Sequence, residues 1–135
     1  GSCLAGVSFL KGLGFVHAIS HMIGAEFDTQ HGLTNAIVLP AVLRYNLPSL
    51  EEKRHQMAHA LNIRNKNSDG FIKEIEAKLD RLNIPKSLSE IGVPLDCSSR
   101  IADKAMLDSA ASTNPVAGDA SDLRNLIEQA IKKAR

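Results

Sequence analysis

The chain has 135 residues, 44% of them apolar, and sets 16 lysines and arginines against 15 aspartates and glutamates. That length and apolar content fit one globular domain with its own core and exclude a disordered chain. A net charge of +1, a single tyrosine and no tryptophan offer no electrostatic or stacking surface for nucleic acid and no basic face for an anionic membrane, so neither is expected as a partner.

Taken in order, the predicted elements are all helical. Gly1 and Ser2 read as a cloning scar, so the domain is expected over residues 3–135. Residues 3–11 form an apolar segment broken by the two glycines of "KGLG". A helix is expected over 15–26, then the loop "FDTQHG", then a helix over 32–46 with Pro40 inside it as a kink. Ser49 and Glu52 have the spacing of a capping box ahead of a helix over 50–61. Asn67 or Ser68 caps the next, in which Phe71, Ile72, Ile75, Leu79 and Leu82 recur at helical spacing. Residues 84–94 read as a connector with at most a turn of helix, and 99–112 as a helix ended by "TNP". The last helix, 121–133, carries Leu123, Leu126, Ile127, Ala130 and Ile131 on one stripe, with Lys132, Lys133 and Arg135 at its basic end. No run alternates with period two, and no apolar run reaches membrane-spanning length. Cys3 and Cys97 lack any C-x-x-C spacing and read as free thiols of a reducing compartment, the cytoplasm.

Three of the five histidines fall in "GFVHAISHMIGAEFDTQHG", as H-x3-H-x9-H at His17, His21 and His31. No charged residue stands between Lys11 and Glu26. On a helical wheel His17 and His21 share a face lined by Ser20, Gly24, Ala18 and Ala25, while Phe15, Val16, Ile19, Met22 and Ile23 point away. Imidazole is the commonest metal-binding side chain that is neutral near pH 7, and a small-residue face leaves room for an ion, a cofactor or a substrate. The competing reading is a set of satisfied core histidines. "HQMAH" repeats the i, i+4 spacing at His55 and His59, but beside Glu51 and Glu52 and away from Leu50, Met57 and Leu61. That pair is expected on a solvated face without a function. A zinc-protease helix is excluded, because no glutamate stands between His17 and His21. Ser20 lacks the G-x-S-x-G context of a nucleophile.

"GFVHAISHMIGAEFDTQHGLTNAIVLP", followed by "VLRYN" and later by "TNP", closely resembles the signature of the iron-containing (group III) alcohol dehydrogenases. The departures are Gln30 for a usual proline, Ala41 for a frequent histidine and Val116 for a common arginine. The resemblance implies the all-α, C-terminal helical domain of a dehydroquinate synthase-like fold. It also implies an N-terminal domain that binds NAD(P), and a divalent metal, Fe2+ in most members and Zn2+ in others of the glycerol dehydrogenase type. In the family an aspartate and three histidines ligate that metal. By the resemblance His17 and His31 match the last two histidine ligands. His21 matches the histidine that faces nicotinamide and substrate, a catalytic and cofactor-binding position rather than a ligand. The aspartate and first histidine lie in a D-x-x-x-H segment that these residues lack, as they lack a glycine-rich dinucleotide loop.

The function implied is hydride transfer between a small alcohol or aldehyde and nicotinamide, with the metal as Lewis acid. These 135 residues alone are expected to be inactive, for want of the nucleotide-binding domain, and to expose apolar surface that favours a homo-oligomer. The alternative reading is a non-catalytic helical module or a truncated product that keeps the fold without the chemistry.

Overall fold

The computed structural model describes residues 1–65 and 67–133. Its seven α-helices are α1 (Ser2–Phe9), α2 (Gly14–Phe27), α3 (His31–Asn46), α4 (Glu51–Ala60), α5 (Ser68–Arg81), α6 (Ser98–Met106) and α7 (Ala120–Lys133), with no strand among the described residues. Single 3-10 turns occupy Leu47–Ser49, Ser89–Ile91, Leu95–Cys97 and Ala111–Thr113. The all-α expectation therefore holds, and no single helix is long and apolar enough to cross a membrane.

The core lies where α2, α3, α6 and α7 meet. It is built from Phe15, Ala18, Ile19 and Ile23 of α2, Ile37, Val38 and Ala41 of α3, Ile101 and Ala105 of α6, and the full stripe of α7 from Leu123 to Ile131. Each large side chain so buried contributes about 1.5–3 kcal/mol of transfer free energy. Pro40 is buried inside α3, which continues through it from His31 to Asn46. Proline has no N–H, so the Ala36 carbonyl loses its helical partner there. A smaller cluster of Leu47, Ala58, Ile63, Phe71 and Ile72 joins α4 and α5 to the end of α3.

Several boundaries differ from the sequence expectations. The N-cap of α4 is Leu50, with no side-chain cap, so Ser49 and Glu52 do not form a capping box. Ser49 is taken up by the 3-10 turn that Pro48 opens. On α4 the buried residue is Ala58, whereas Met57 and Leu61 are exposed. The helix turns instead Arg54 inward, and its guanidinium donates to Ser68 Oγ at 2.9 Å. Asn67 does cap α5, accepting from the Gly70 N–H at 2.7 Å. The helix expected over 99–112 stops at Met106 and resumes as the turn Ala111–Thr113. At the end of α7 Lys132 pairs with Glu128 at 3.2 Å, while Arg135 lies outside the described residues.

Exposed apolar residues concentrate on α1 and just after it: Leu4, Val7, Phe9 and Leu10. Cys3 on α1 is exposed, whereas Cys97 is fully buried and burial pushes its thiol pKa up. A buried, protonated thiol is a poor nucleophile. One thiol per chain should therefore react quickly with Ellman's reagent in the native protein, and the second only on unfolding. Two fast thiols would show that the Cys97 packing is wrong.

Candidate metal centre

The site begins with the anchoring of α2. Gly12 and Gly14 both have positive φ, +98° and +67°. A Cβ on Gly12 would run into the Thr113 side chain, and one on Gly14 would come within 2.9 Å of Asn114 Oδ1. That close approach serves the helix start. Thr113 Oγ1 accepts from the N–H groups of Leu13 and Gly14 at 3.1 and 3.2 Å, and Asn114 Oδ1 accepts from that of Phe15 at 3.1 Å. The orphan donors of the first turn of α2 are thus satisfied from about 100 residues away. "TNP" is in this way a helix cap, and it fixes α2 one turn before His17.

The far end of α2 is closed by Asp28, in the left-handed region with φ +51°. Gln30 is the N-cap of α3, its side chain accepting from the Leu33 N–H. Thr34 Oγ1 donates to Thr29 Oγ1 at 2.8 Å inside the same turn. Gln30, where the family pattern has proline, thus supplies a helix cap. This tight reversal starts α3 at His31 itself and brings that residue back over α2.

The three imidazoles meet. Ring centroids are 5.8 Å apart for His17 and His21, 5.2 Å for His17 and His31, and 5.4 Å for His21 and His31. His17 and His21 are half-buried and His31 is exposed at the rim. Asn35, one turn after His31, places its Nδ2 3.3 Å from His17 Nε2 and 3.0 Å from His31 Nε2. Asn35 Oδ1 accepts from the hydroxyl of the fully buried Ser20, which also reaches the Val16 carbonyl. His17 Nδ1 is buried without a partner of full hydrogen-bond geometry. Burial first, and then the neighbouring His31, hold the His17 pKa below its usual value, against a smaller upward pull from the Leu13 backbone. His17 is therefore neutral at neutral pH, the state in which imidazole ligates.

His21 differs from its neighbours. Its Nδ1 lies 2.9 Å from Asp108 Oδ2, a bond between residues 87 apart in sequence. Burial raises the Asp108 pKa, but the Ala110 N–H and His21 outweigh it and the net direction is down. An ionised Asp108 accepts the Nδ1–H of His21, which leaves Nε2 for another group. His21 also lines an open cavity of about 340 Å³ with Phe9, Leu13, Ser109, Ala110 and Thr113.

The sequence expectations for these residues can now be placed. His17, His21 and His31 are brought together, and His55 and His59 are exposed on α4, with His55 Nε2 3.8 Å from Glu51 Oε1. Among the described residues no three histidine, cysteine, aspartate or glutamate side chains stand together as a complete cation site. Two residues of the cluster were not anticipated. Asp108 carries no local signal, because only the tertiary fold brings it to His21. Asn35 could have been found, since it follows His31 by four residues on the same helical face.

The family model described as "Fe-containing alcohol dehydrogenase family, C-terminal" matches residues 1–131. The chain is 34% identical over 136 residues to the 1,3-propanediol dehydrogenase of Klebsiella pneumoniae, which covers 96% of this chain and 35% of that protein. It is 33% identical over 116 residues to alcohol dehydrogenase 4 of Saccharomyces cerevisiae, covering 84% of this chain and 30% of that one. The crystal structure of a 1,3-propanediol oxidoreductase superposes with a TM-score of 0.82 at 32% identity, over 88% of this chain and 33% of that chain. The chain thus spans about a third of the length of the curated relatives it matches.

Proposed function

Because the chain belongs to the Fe-containing alcohol dehydrogenase family, as its C-terminal helical domain, we propose that it supplies part of the metal- and substrate-binding half of an NAD(P)-dependent alcohol dehydrogenase. His17 and His31 would be two ligands of a divalent cation, Fe2+ by family and Zn2+ as the alternative. His21 would serve substrate and nicotinamide. The observation that carries this reading is that the Nε2 atoms of His17 and His31 both converge on one small polar group, Asn35 Nδ2. Core histidines satisfied separately would not share a partner.

The residues fit such a cation in kind. Both proposed ligands are imidazoles, His17 is held neutral, and the neighbouring His21 lines an open cavity. Two imidazoles are fewer than a resident cation needs, so further ligands must come from residues other than these. When bound, the metal would supply Lewis-acid stabilisation of charge on a substrate oxygen.

The chain's own residues do the rest. Asp108 accepts the Nδ1–H of His21 and so fixes that ring's tautomer and orientation. His21 Nε2 can then accept or return a proton at a substrate hydroxyl. Leu13 and Ala110 line the open cavity beside it with apolar surface that can pack against a short alkyl chain. A small primary alcohol or its aldehyde suits that lining.

Histidine NMR of the labelled chain, titrated with Zn2+ or, without oxygen, Fe2+, tests the reading. Saturable binding of one ion should move the His17 and His31 signals and leave those of His55 and His59 in place. Movement of the α4 pair alone, or no saturable binding, would remove it.

A further inference from the structure

We propose that Thr113 is a positioning residue for His21: its hydroxyl pins Ala110, Ala110 aims Asp108, and Asp108 decides which nitrogen of the His21 ring carries the proton. Residues 108–113 then form one clamp, closed on α2 at the start of the helix and again at His21. What the oriented ring serves rests on the reading of His21 proposed above, whereas the clamp itself does not.

The links follow one another without a gap. Thr113 Oγ1 accepts from the N–H groups of Leu13 and Gly14 at 3.1 and 3.2 Å. It gives its own proton to the Ala110 carbonyl at 2.8 Å. The Ala110 N–H donates to Asp108 Oδ1 at 2.7 Å. The second carboxylate oxygen, Oδ2, stands 2.9 Å from His21 Nδ1. Along α2 the two ends of the clamp, Leu13 and His21, are about 12 Å apart at 1.5 Å per residue. The segment therefore lies along the helix and holds it twice.

Each role in the chain is forced. A backbone N–H can only donate, so Oδ1 of Asp108 accepts. Asp108 is ionised, with its pKa held down, so Oδ2 accepts as well. His21 must then place a proton at Nδ1, and in its neutral form the lone pair is at Nε2. Asp108 is the better shielded partner, its side chain 14% exposed against 36% for His21, so water competes weakly for the carboxylate. Ala110 is buried in the core and bonded at both its N–H and its carbonyl, which keeps the aim of Asp108 fixed.

Two substitutions break the chain at different links. Asp108→Asn is nearly isosteric. Its amide oxygen must turn to the Ala110 N–H, which leaves its NH2 facing His21 Nδ1. Two donors cannot face each other, so the ring proton moves to Nε2. The same exchange in a catalytic triad leaves the geometry intact and selects the wrong tautomer. Thr113→Ala acts from further away. It strands the Leu13 and Gly14 N–H groups and releases the Ala110 carbonyl, so Asp108 loses the fixed donor that aims it. Thr113→Ser keeps the hydroxyl and with it the grip.

Nitrogen NMR of the labelled 135-residue chain reads the result directly and needs neither substrate nor cofactor. It is recorded above the ordinary imidazole pKa of about 6.5, where the protonated and the bare ring nitrogen resonate far apart. His21 should carry its proton at Nδ1 in wild type and at Nε2 in Asp108→Asn. In Thr113→Ala both ring nitrogens should move to the intermediate positions of a mixture, and Thr113→Ser should restore the wild-type ones. A proton on Nε2 in wild type, or on Nδ1 in Asp108→Asn, overturns the proposal. So does a Thr113→Ala chain, folded by circular dichroism, whose His21 nitrogens stay where they were. If that variant does not fold, amide exchange of the wild-type chain takes its place: the Leu13, Gly14 and Ala110 N–H groups should exchange slowly, and rapid exchange at any of them overturns the clamp. A substrate shown to avoid His21 would end the functional reading and leave these ring positions unchanged, so the two fail separately.

Discussion

If His17 and His31 are the ligands, as proposed, replacing either by alanine should abolish specific Zn2+ or Fe2+ binding by the chain, while His21→Ala should leave it within a few-fold of wild type. The asymmetry follows from the hydrogen bonds. His17 and His31 direct Nε2 at a common point beside Asn35, whereas His21 is committed through Nδ1 to Asp108. With two imidazoles at the site, loss of either leaves a single neutral ligand. The affinity should fall by more than the roughly 10–100-fold that loss of an outer hydrogen-bond partner costs. His55→Ala and His59→Ala should change nothing, since both rings are exposed on α4. Calorimetry on each variant is sufficient, with circular dichroism as the check on folding. Retention of metal by His17→Ala together with its loss from His21→Ala would exchange the roles assigned to the two residues.

How far this site could be read in advance depends on the range of each interaction. His17 and His21 were visible because i, i+4 spacing is local, and His31 because a short polar loop must return the chain. The control pair at His55 and His59 has identical spacing, and only its flanking glutamates separate it. Asp108 was out of reach: its approach to His21 depends on α6 packing against α2. Part of that packing is held by Glu26, which binds Arg100 and Lys104 across the two helices. Those two cations hold the Glu26 carboxyl below its ordinary pKa, so the clip is formed above the ordinary carboxylate range and lost as pH falls through the lowered value. Its groups are exposed enough that solvent weakens it.

The helices show the same division. α5 and α7 were legible because their apolar stripes repeat over three turns or more. α4 was misread on its buried face because Met57 and Leu61 looked like core. Its neighbour α5 offers a hydroxyl for Arg54 and a gap that fits Ala58. The family signature added what periodicity lacked, a role for each histidine, but it said nothing of why "TNP" should recur so far from them.

Asn114→Ala answers that last point and should destabilise the chain by about 3 kcal/mol. Asn114 Oδ1 accepts from the Phe15 N–H and from Asn46 Nδ2, each at 3.1 Å. Its Nδ2 donates to Asn46 Oδ1 at 2.8 Å and to the Val116 carbonyl at 2.7 Å. One side chain thus joins the start of α2, the end of α3 and the loop before α7. Truncation strands a helix N-terminal donor and the whole amide of Asn46, which is itself buried. An unsatisfied buried polar group costs about 1–3 kcal/mol, and water entering the vacated space recovers part of it. For a domain of this size the melting temperature should fall by about 10 °C. Asn46→Ala should cost less than this, and the double variant should fall short of the sum, because the two amides serve each other. Zn2+ affinity should drop as well, since the start of α2 fixes His17 one turn later. A loss of under about 1 kcal/mol, or full additivity with Asn46→Ala, would mean that "TNP" is a loop sequence and does not hold the site together.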